Sequence, residues 1–438
     1  MHPYPKHKTP FRWPLPTTII TLLMMFALAQ PLASREGQTT AYPSGDEMQF
    51  SLLTCGQGEA IYALFGHTAI RYRHAKQGVD IVFNYGVFDF DTPNFALRFA
   101  LGETDYLLAI NEFPRFLATY QYNGRSVSEQ VLNLTAEEKL RLLALLEENY
   151  RPENRVYRYN FFFDNCATRP RNLIEKAING RITYHYPKQE PITFRQLLHH
   201  YSQNAYWSDL GMSLCLGREA DRHITPREME FVPFCLRDDM RSARIEATDG
   251  TSRPLVLSEK ILVDLPEMHP DEGRWNIPLI AAITLLLLVI GLTGGEMASR
   301  RHPLSHPKAL HNLWWLDLPL LLGGGLLGLT PAFLSLFSSH PCVDSNWLLL
   351  AFHPGHLLAL TCVIRRIKKG AWSRYQLGNF CLLTLFIIVI LLKIQIIPGT
   401  AVYLALCLWV RAGANLYLTA PWSAQNHAKK ALRDKKGN

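Results

Sequence analysis

Apolar positions are distributed unevenly along this chain. Between residues 35 and 270 they come in short groups of strand or helix period. Gln49–Thr54 and Thr68–Arg73 read as strands, and Asp80–Phe90, rich in Val, Ile, Phe and Tyr, reads as a third. Thr135–Tyr150 predicts a helix, with Thr135 and Glu138 as a capping box and Leu140, Leu143 and Leu146 as its core face. Phe161–Ile178 opens with an aromatic run and continues as an amphipathic helix. Leu173, Ile174, Ala177 and Ile178 fall on one side, and Arg171, Glu175 and Lys176 on the other. Leu255–Val263 is one more strand-like run, at the edge of a connector spanning residues 241–275.

The last third has a different period. Ile277–Gly294, Leu313–Phe337, Trp347–Ile364, Leu377–Leu392 and Ile396–Tyr417 are apolar runs near bilayer-spanning length. At the other end, Lys6, Lys8 and Arg12 precede a short apolar core, Thr17–Ala29, with small residues at Ala27-Leu28-Ala29. This predicts a signal peptide over residues 1–34, or an uncleaved N-terminal anchor. The expected organisation is an exported α+β domain at 35–270, an all-α membrane domain of about five helices at 271–418, and a basic cytoplasmic tail at 419–438.

Charge supports that topology. Arg300, Arg301 and Lys308 follow the first span, Arg365, Arg366, Lys368, Lys369 and Arg374 the third, and Lys429, Lys430, Arg433, Lys435 and Lys436 the fifth. Basic clusters mark cytoplasmic loops, which puts residues 35–270 outside. These clusters carry more positive charge than the chain's net +8, so the basicity reports topology and gives no reason to expect nucleic acid as a partner.

Of the eight cysteines, Cys55, Cys166, Cys215 and Cys235 fall in the exported domain, where Cys215 and Cys235 can pair if the compartment is oxidising. No CxxC or His/Cys spacing suggests a metal site. Cys166 follows Asp164-Asn165, either of which can cap the helix behind it, while Pro170 can delete one of that helix's hydrogen bonds. A thiol at a helix start faces unpaired N–H groups and the helix dipole, which favour the thiolate.

A nucleophilic thiol needs an imidazole to take its proton. His67, at the mouth of an alternating strand after Gly66, is the best placed. A hairpin centred near Ala75–Lys76 brings it within a residue or two of Asn84, a polar residue in an apolar strand that can hold the ring in its working tautomer. The candidate catalytic set is Cys166, His67 and Asn84. Asn165, beside the thiol, is a candidate substrate contact. So are His340 and Asn346, which lie in the outer loop Ser338–Asn346. Cys55 competes as nucleophile but precedes a Gly-rich loop rather than a helix.

The base precedes the nucleophile by about a hundred residues, the reverse of papain. A strand His followed by an Asn-Cys at a helix start resembles the circularly permuted branch of the NlpC/papain-like superfamily, to which lecithin:retinol acyltransferase belongs. The segments Ser51–Gly58, Leu64–Arg71, Phe83–Phe90, Tyr122–Val127 and Phe162–Arg169, with the multi-span region behind them, resemble the Lnb family of lipoprotein N-acyltransferases. That resemblance implies a permuted papain-like exported domain at the outer face of a bacterial inner membrane. It implies transfer of an acyl chain from a phospholipid through a Cys166 thioester to the N-terminal amine of a diacylated lipoprotein. Cys166 and His67 are then catalytic, the oxyanion donors are the Cys166 amide and a neighbouring one at the helix start, and no soluble cofactor is needed. Two other readings are a membrane-tethered peptidoglycan amidase or peptidase and a non-enzymatic envelope assembly factor; five spans exceed what a tether requires.

Overall fold

A computed structural model describes residues 47–88, 93–186, 190–266, 275–301 and 312–419. The expected leader at 1–34 and the basic tail beyond Thr419 lie outside them.

The exported domain is built on a seven-stranded sheet. β1 (Met48–Cys55), β2 (His67–His74), β3 (Val79–Val87), β4 (Asp105–Glu112), β5 (Val127–Leu132) and β6 (Val156–Arg158) are joined by β10 (Val256–Val263) in the antiparallel order β10-β5-β1-β2-β3-β4-β6. β7 (Gly180–Thr183), β8 (Arg244–Ala247) and β9 (Ser252–Pro254) form a small second sheet.

Period-two alternation decides what each face of the large sheet covers. One face carries Phe50, Leu52, Ile70, Tyr72, Phe83 and Tyr85, packed with residues of α3 (Ala136–Tyr150), α4 (Thr168–Ala177) and α8 (Pro233–Ser242). The other carries Leu53, Cys55, Ala69, Val82 and Val127 under Phe113 and Phe116 of α2 (Phe113–Tyr122). α1 (Phe95–Leu101) precedes β4 and has no buried residue. α5 (Phe194–Ser202), α6 (Tyr206–Cys215) and α7 (Pro226–Met229) belong to a smaller lobe whose aromatic centre is Phe162, Phe194 and Phe231.

The expected strands are all present: the first two are longer by one residue at each end, the third starts one residue earlier and ends at Val87 rather than Phe90, the last starts one residue later, and the Thr135 capping box is formed. On α3 the fully buried leucines are Leu142 and Leu146, with Leu140 and Leu143 packed at the margin. Arg171 departs from the expected polar face of α4. It is buried because Glu230, itself buried, takes its guanidinium at 2.8 Å. Cys215 and Cys235 are free thiols.

Five helices are long and apolar enough to cross a bilayer. α9 (Ile277–Arg301), α10 (Trp314–Phe337), α12 (Arg374–Leu391) and α13 (Gly399–Thr419) are continuous. The third expected span is broken. A 3-10 turn at Trp347–Leu350 is followed by α11 (Gly355–Lys368), because Pro354 cannot extend a helix toward its N-terminal side.

Three joints tie the two parts together. Ser339 N–H donates to Leu101 O (2.9 Å), and His340 Nε2–H to Phe99 O (2.6 Å). Gly217 N–H donates to Cys342 O (2.8 Å), while Asn346 Nδ2 reaches Leu214 O (2.8 Å). Gln395 Nε2 donates to Leu216 O, and Ile396 N–H to Asp221 Oδ2 (3.1 Å). The fit is tight: a Cβ on Gly217 would collide with the Asp344 carbonyl, and one on Gly102 with Ser339.

Candidate active site

The hairpin of β2 and β3 positions the base. Its register pairs Ile70 with Phe83 and His74 with Val79, which sets Asn84 opposite Ala69, two positions along from His67. The two side chains meet on this diagonal, and His67 Nε2–H donates to Asn84 Oδ1 at 2.6 Å. Asn84 Nδ2 donates in turn to Asn111 Oδ1 on β4 (3.4 Å), which orients the amide. With Nε2 carrying the proton, Nδ1 is left as the basic nitrogen. Burial among protein atoms lowers the His67 pKa to about 4; the Asn84 bond raises it in part, and the Arg125 charge lowers it. The ring is therefore neutral at pH 7.

Cys166 comes from the segment ahead of α4. Phe162 packs on Phe194 and Phe231 (ring centroids 4.4 and 5.1 Å) and anchors the aromatic run. Asn165, not Asp164, caps the helix: its Oδ1 accepts from Ala167 N–H and Thr168 N–H, both at 2.9 Å. Asp164 instead holds Arg169 in a two-point ion pair (2.6 and 2.7 Å). Pro170 falls in the first turn, between Arg169 N–H bonded to Asn165 O and Arg171 N–H bonded to Ala167 O, so the bond to Cys166 O is the one missing.

The thiol sits against Gly86, where a Cβ would lie 3.5 Å from Cys166 Cβ and 3.6 Å from the Tyr159 ring. Gly86 has φ +90°, a conformation suited to glycine. The backbone amides of Thr68, the residue after His67, and of Cys166 itself lie near the sulfur and favour its thiolate. The β2–β3 ladder stops at Ile70 and Phe83, which leaves Thr68 beyond its end.

Two expectations need correction. The helix start was expected to favour a thiolate, yet the Cys166 pKa is raised to about 11. Desolvation outweighs the two amides and Arg125. The oxyanion donors were expected to be the Cys166 amide and a neighbouring one at the helix start; of these, the Ala167 and Thr168 amides are already taken by Asn165. The amides near the sulfur are those of Cys166 and Thr68. Among the described residues the thiol and imidazole share no hydrogen bond; both rest neutral.

The remaining candidates are engaged within the protein. Asn165 is 2 % exposed, and its Nδ2 donates to Phe161 O and Phe231 O. Asn346 is buried, caps the 3-10 turn through Oδ1 and ties Leu214. His340 holds Phe99 O. All three shape the site's surroundings through the chain.

Cys55 stands directly opposite His67 in the β1–β2 register. It is fully buried, lies beside Tyr120, and burial raises its pKa to about 12. Sequence reasoning missed Arg125. Its Nε–H donates to Gly56 O (2.8 Å), its guanidinium lies 4.8 Å from the Tyr120 ring, and among the described residues its Nη2 is buried without a protein partner. Its charge acts on Cys55, His67 and Cys166 together. The signal was an arginine right after a glycine, Gly124, whose φ is +66°. Among the described residues no group of three or more His, Cys, Asp or Glu side chains could hold a metal ion.

Residues 36–200 match the family model described as the Lnb N-terminal periplasmic domain, and residues 271–421 match the Lnb transmembrane domain. No curated protein and no solved structure matches the chain. The two matched regions cover most of the sequence and fall on its two structural parts, and the protein is a member of the Lnb family: a multi-pass inner-membrane protein with a periplasmic domain.

Proposed function

We propose that this protein is a lipoprotein N-acyltransferase with Cys166 as nucleophile and His67 as general base, on the permuted papain-like plan that the sequence resembles. The observation that carries the reading is the 2.6 Å bond from His67 Nε2–H to Asn84, which leaves Nδ1 basic, with the amide of the next residue, Thr68, near the Cys166 sulfur. An ester carbonyl enters at the sulfur. His67 Nδ1 takes the thiol proton as sulfur attacks, and the carbonyl oxygen becomes an oxyanion supported by the Cys166 and Thr68 amides. The C–O bond breaks, His67 returns the proton to the leaving alkoxide, and a lysophospholipid departs. The thioester is then attacked by the α-amine of a diacylglyceryl-cysteine, whose pKa of about 8 leaves a useful neutral fraction at pH 7. His67 takes the ammonium proton and returns it to the sulfur.

Arg125 adds positive charge near the developing anion. The bilayer supplies a two-chain donor sideways, a reason for a catalytic domain bound to five spans rather than tethered by one. The test is mass spectrometry of a lipoprotein N-terminus from cells with the wild-type chain and with Cys166→Ala. A third acyl chain present only with wild type supports the reading. Identical lipoproteins with altered muropeptides would replace it with the amidase reading.

A further inference from the structure

A continuous line of aromatic rings leads from the thiol to the membrane part. Tyr159 abuts Gly86 beside Cys166 and stacks on Tyr106 with ring centroids 4.1 Å apart. Tyr106 meets Phe88 at 5.0 Å, Phe88 meets Phe95 at 5.8 Å, and Phe95 meets Phe99 at 6.1 Å. Phe99 ends the line on His340, at 5.4 Å, three residues past the end of α10.

The outer end of this line is apolar and uncovered. Leu97 is 53 % exposed and Phe99 48 % exposed, and Arg98 is the one charged residue of α1. The height of α1 is fixed by the bonds of Ser339 and His340 to Phe99 and Leu101. Those bonds hold it against the outer end of α10, where Leu336 and Phe337 are themselves uncovered, at 73 % and 64 % exposure. A helix with uncovered Leu and Phe at the end of a spanning helix continues the lipid-facing surface. Arg98 keeps its guanidinium on Asp105 (2.8 Å), turned to the polar side.

We infer that α1 is seated in the outer leaflet and that the rings behind it form the surface along which one acyl chain reaches Cys166. The occupant is a phospholipid acyl chain; the second half of the inference, that this chain is the one transferred, rests on the acyltransferase reading above. The rings stack on one another, so the chain lies along their edges from Phe99 to Phe88, and its ester carbonyl arrives at the sulfur.

The experiment uses the full chain reconstituted in vesicles of phosphatidylethanolamine and phosphatidylglycerol. A photoreactive benzoylphenylalanine replaces Leu97 or, as control, Lys76 in the exposed turn at the opposite end of the β2–β3 hairpin. Irradiation should give phospholipid adducts at 97 and not at 76, in wild type and in Cys166→Ala alike. Equal adducts at both positions, or none at 97, overturn the seating of α1 whatever the catalytic result. The acyl-chain surface is read separately by transfer from dipalmitoyl and dioctanoyl donors. Phe99→Ser, at the surface, should lower long-chain transfer about tenfold, the worth of roughly two buried methylenes, and leave short-chain transfer nearly unchanged. Equal loss for both donors overturns the surface. No transfer by wild type from either donor is instead the failure of the acyltransferase reading, and leaves the adduct result standing.

Discussion

Two of the buried polar clusters, one in each part of the protein, are finished differently. In the membrane part Arg411 of α13 pairs with Asp317 of α10 at 2.9 and 2.8 Å and with Glu296 of α9 at 2.8 Å; Thr293 and Asn415 complete the set. Arg411 and Asp317 are 2 % exposed and Glu296 is fully buried. Every charge has a partner, as the cost of an unpaired ion in a low-dielectric interior requires. In the periplasmic site the accounts are left open. Among the described residues, Arg125 Nη2 and Thr68 Oγ1 are buried without protein partners, and the thiol and imidazole rest neutral without bonding each other. A saturated network holds helices together; an unsaturated one keeps hydrogen-bonding capacity for a substrate.

Deleting the open cluster should act on rate. Cys166→Ala should abolish acyl transfer, and His67→Ala should lower it by roughly 10²–10⁴-fold, with thermal unfolding little changed. The double variant should be no worse than Cys166→Ala alone, since the two act as a unit. Full activity of Cys166→Ala would end the assignment.

Deleting from the closed cluster should act on stability. Arg411→Leu leaves Asp317 and Glu296 facing each other without their shared cation, at a cost of about 3–5 kcal/mol. The measurement is the unfolding midpoint in detergent, alongside activity per folded molecule, which should stay near wild type. A large loss of activity at normal stability would mean the membrane network takes part in the reaction.

Asn84→Asp sharpens the contrast through pH. Activity needs neutral His67, whose pKa is about 4, so the acid limb of the wild-type profile falls as pH drops through about 4. A carboxylate at position 84 stabilises the imidazolium, so the limb should move to higher pH. The same depressed pKa, against 6.5 in the unfolded chain, means the unfolded state binds the extra proton between those values. Domain stability should therefore decline as pH falls from 6.5 toward 4, and His67→Gln should remove that part of the slope.

The smallest effect is expected at Cys55. Cys55→Ala should leave transfer close to wild type and cost about 1 kcal/mol, because the residue packs the core opposite His67 without an amide directed at its sulfur. Loss of transfer here with activity kept in Cys166→Ala would reverse the two cysteines.

Much of this was legible in the sequence because it is local. Strand alternation, the Thr135 capping box and the length of the hairpin turn set Asn84 near His67; the true turn is centred one position further on, which moves the residue opposite Asn84 by two, and the diagonal contact absorbs the slip. Apolar length revealed the spans. What stayed hidden depends on packing between distant segments. The rise in the Cys166 pKa comes from burial by Tyr159 and Gly86, the engagement of the helix-start amides from Asn165, and the electrostatic reach of Arg125 from β5 folding beside β1. His340 and Asn346 looked available because a loop between spans has no visible partner in sequence; their partners are Phe99 and Leu214, more than a hundred residues away.

The joints at Ser339, Gly217 and Gln395 have a consequence for selectivity. Three clamps at separate points of the outer surface do not let the domain rise, tilt or swivel as a tethered head would. Cys166 is then held at one altitude. Under the proposed reaction a carbonyl is chosen partly by where it floats: a glycerol ester held at headgroup depth comes level with Cys166, while a peptide bond in the wall above stays out of range.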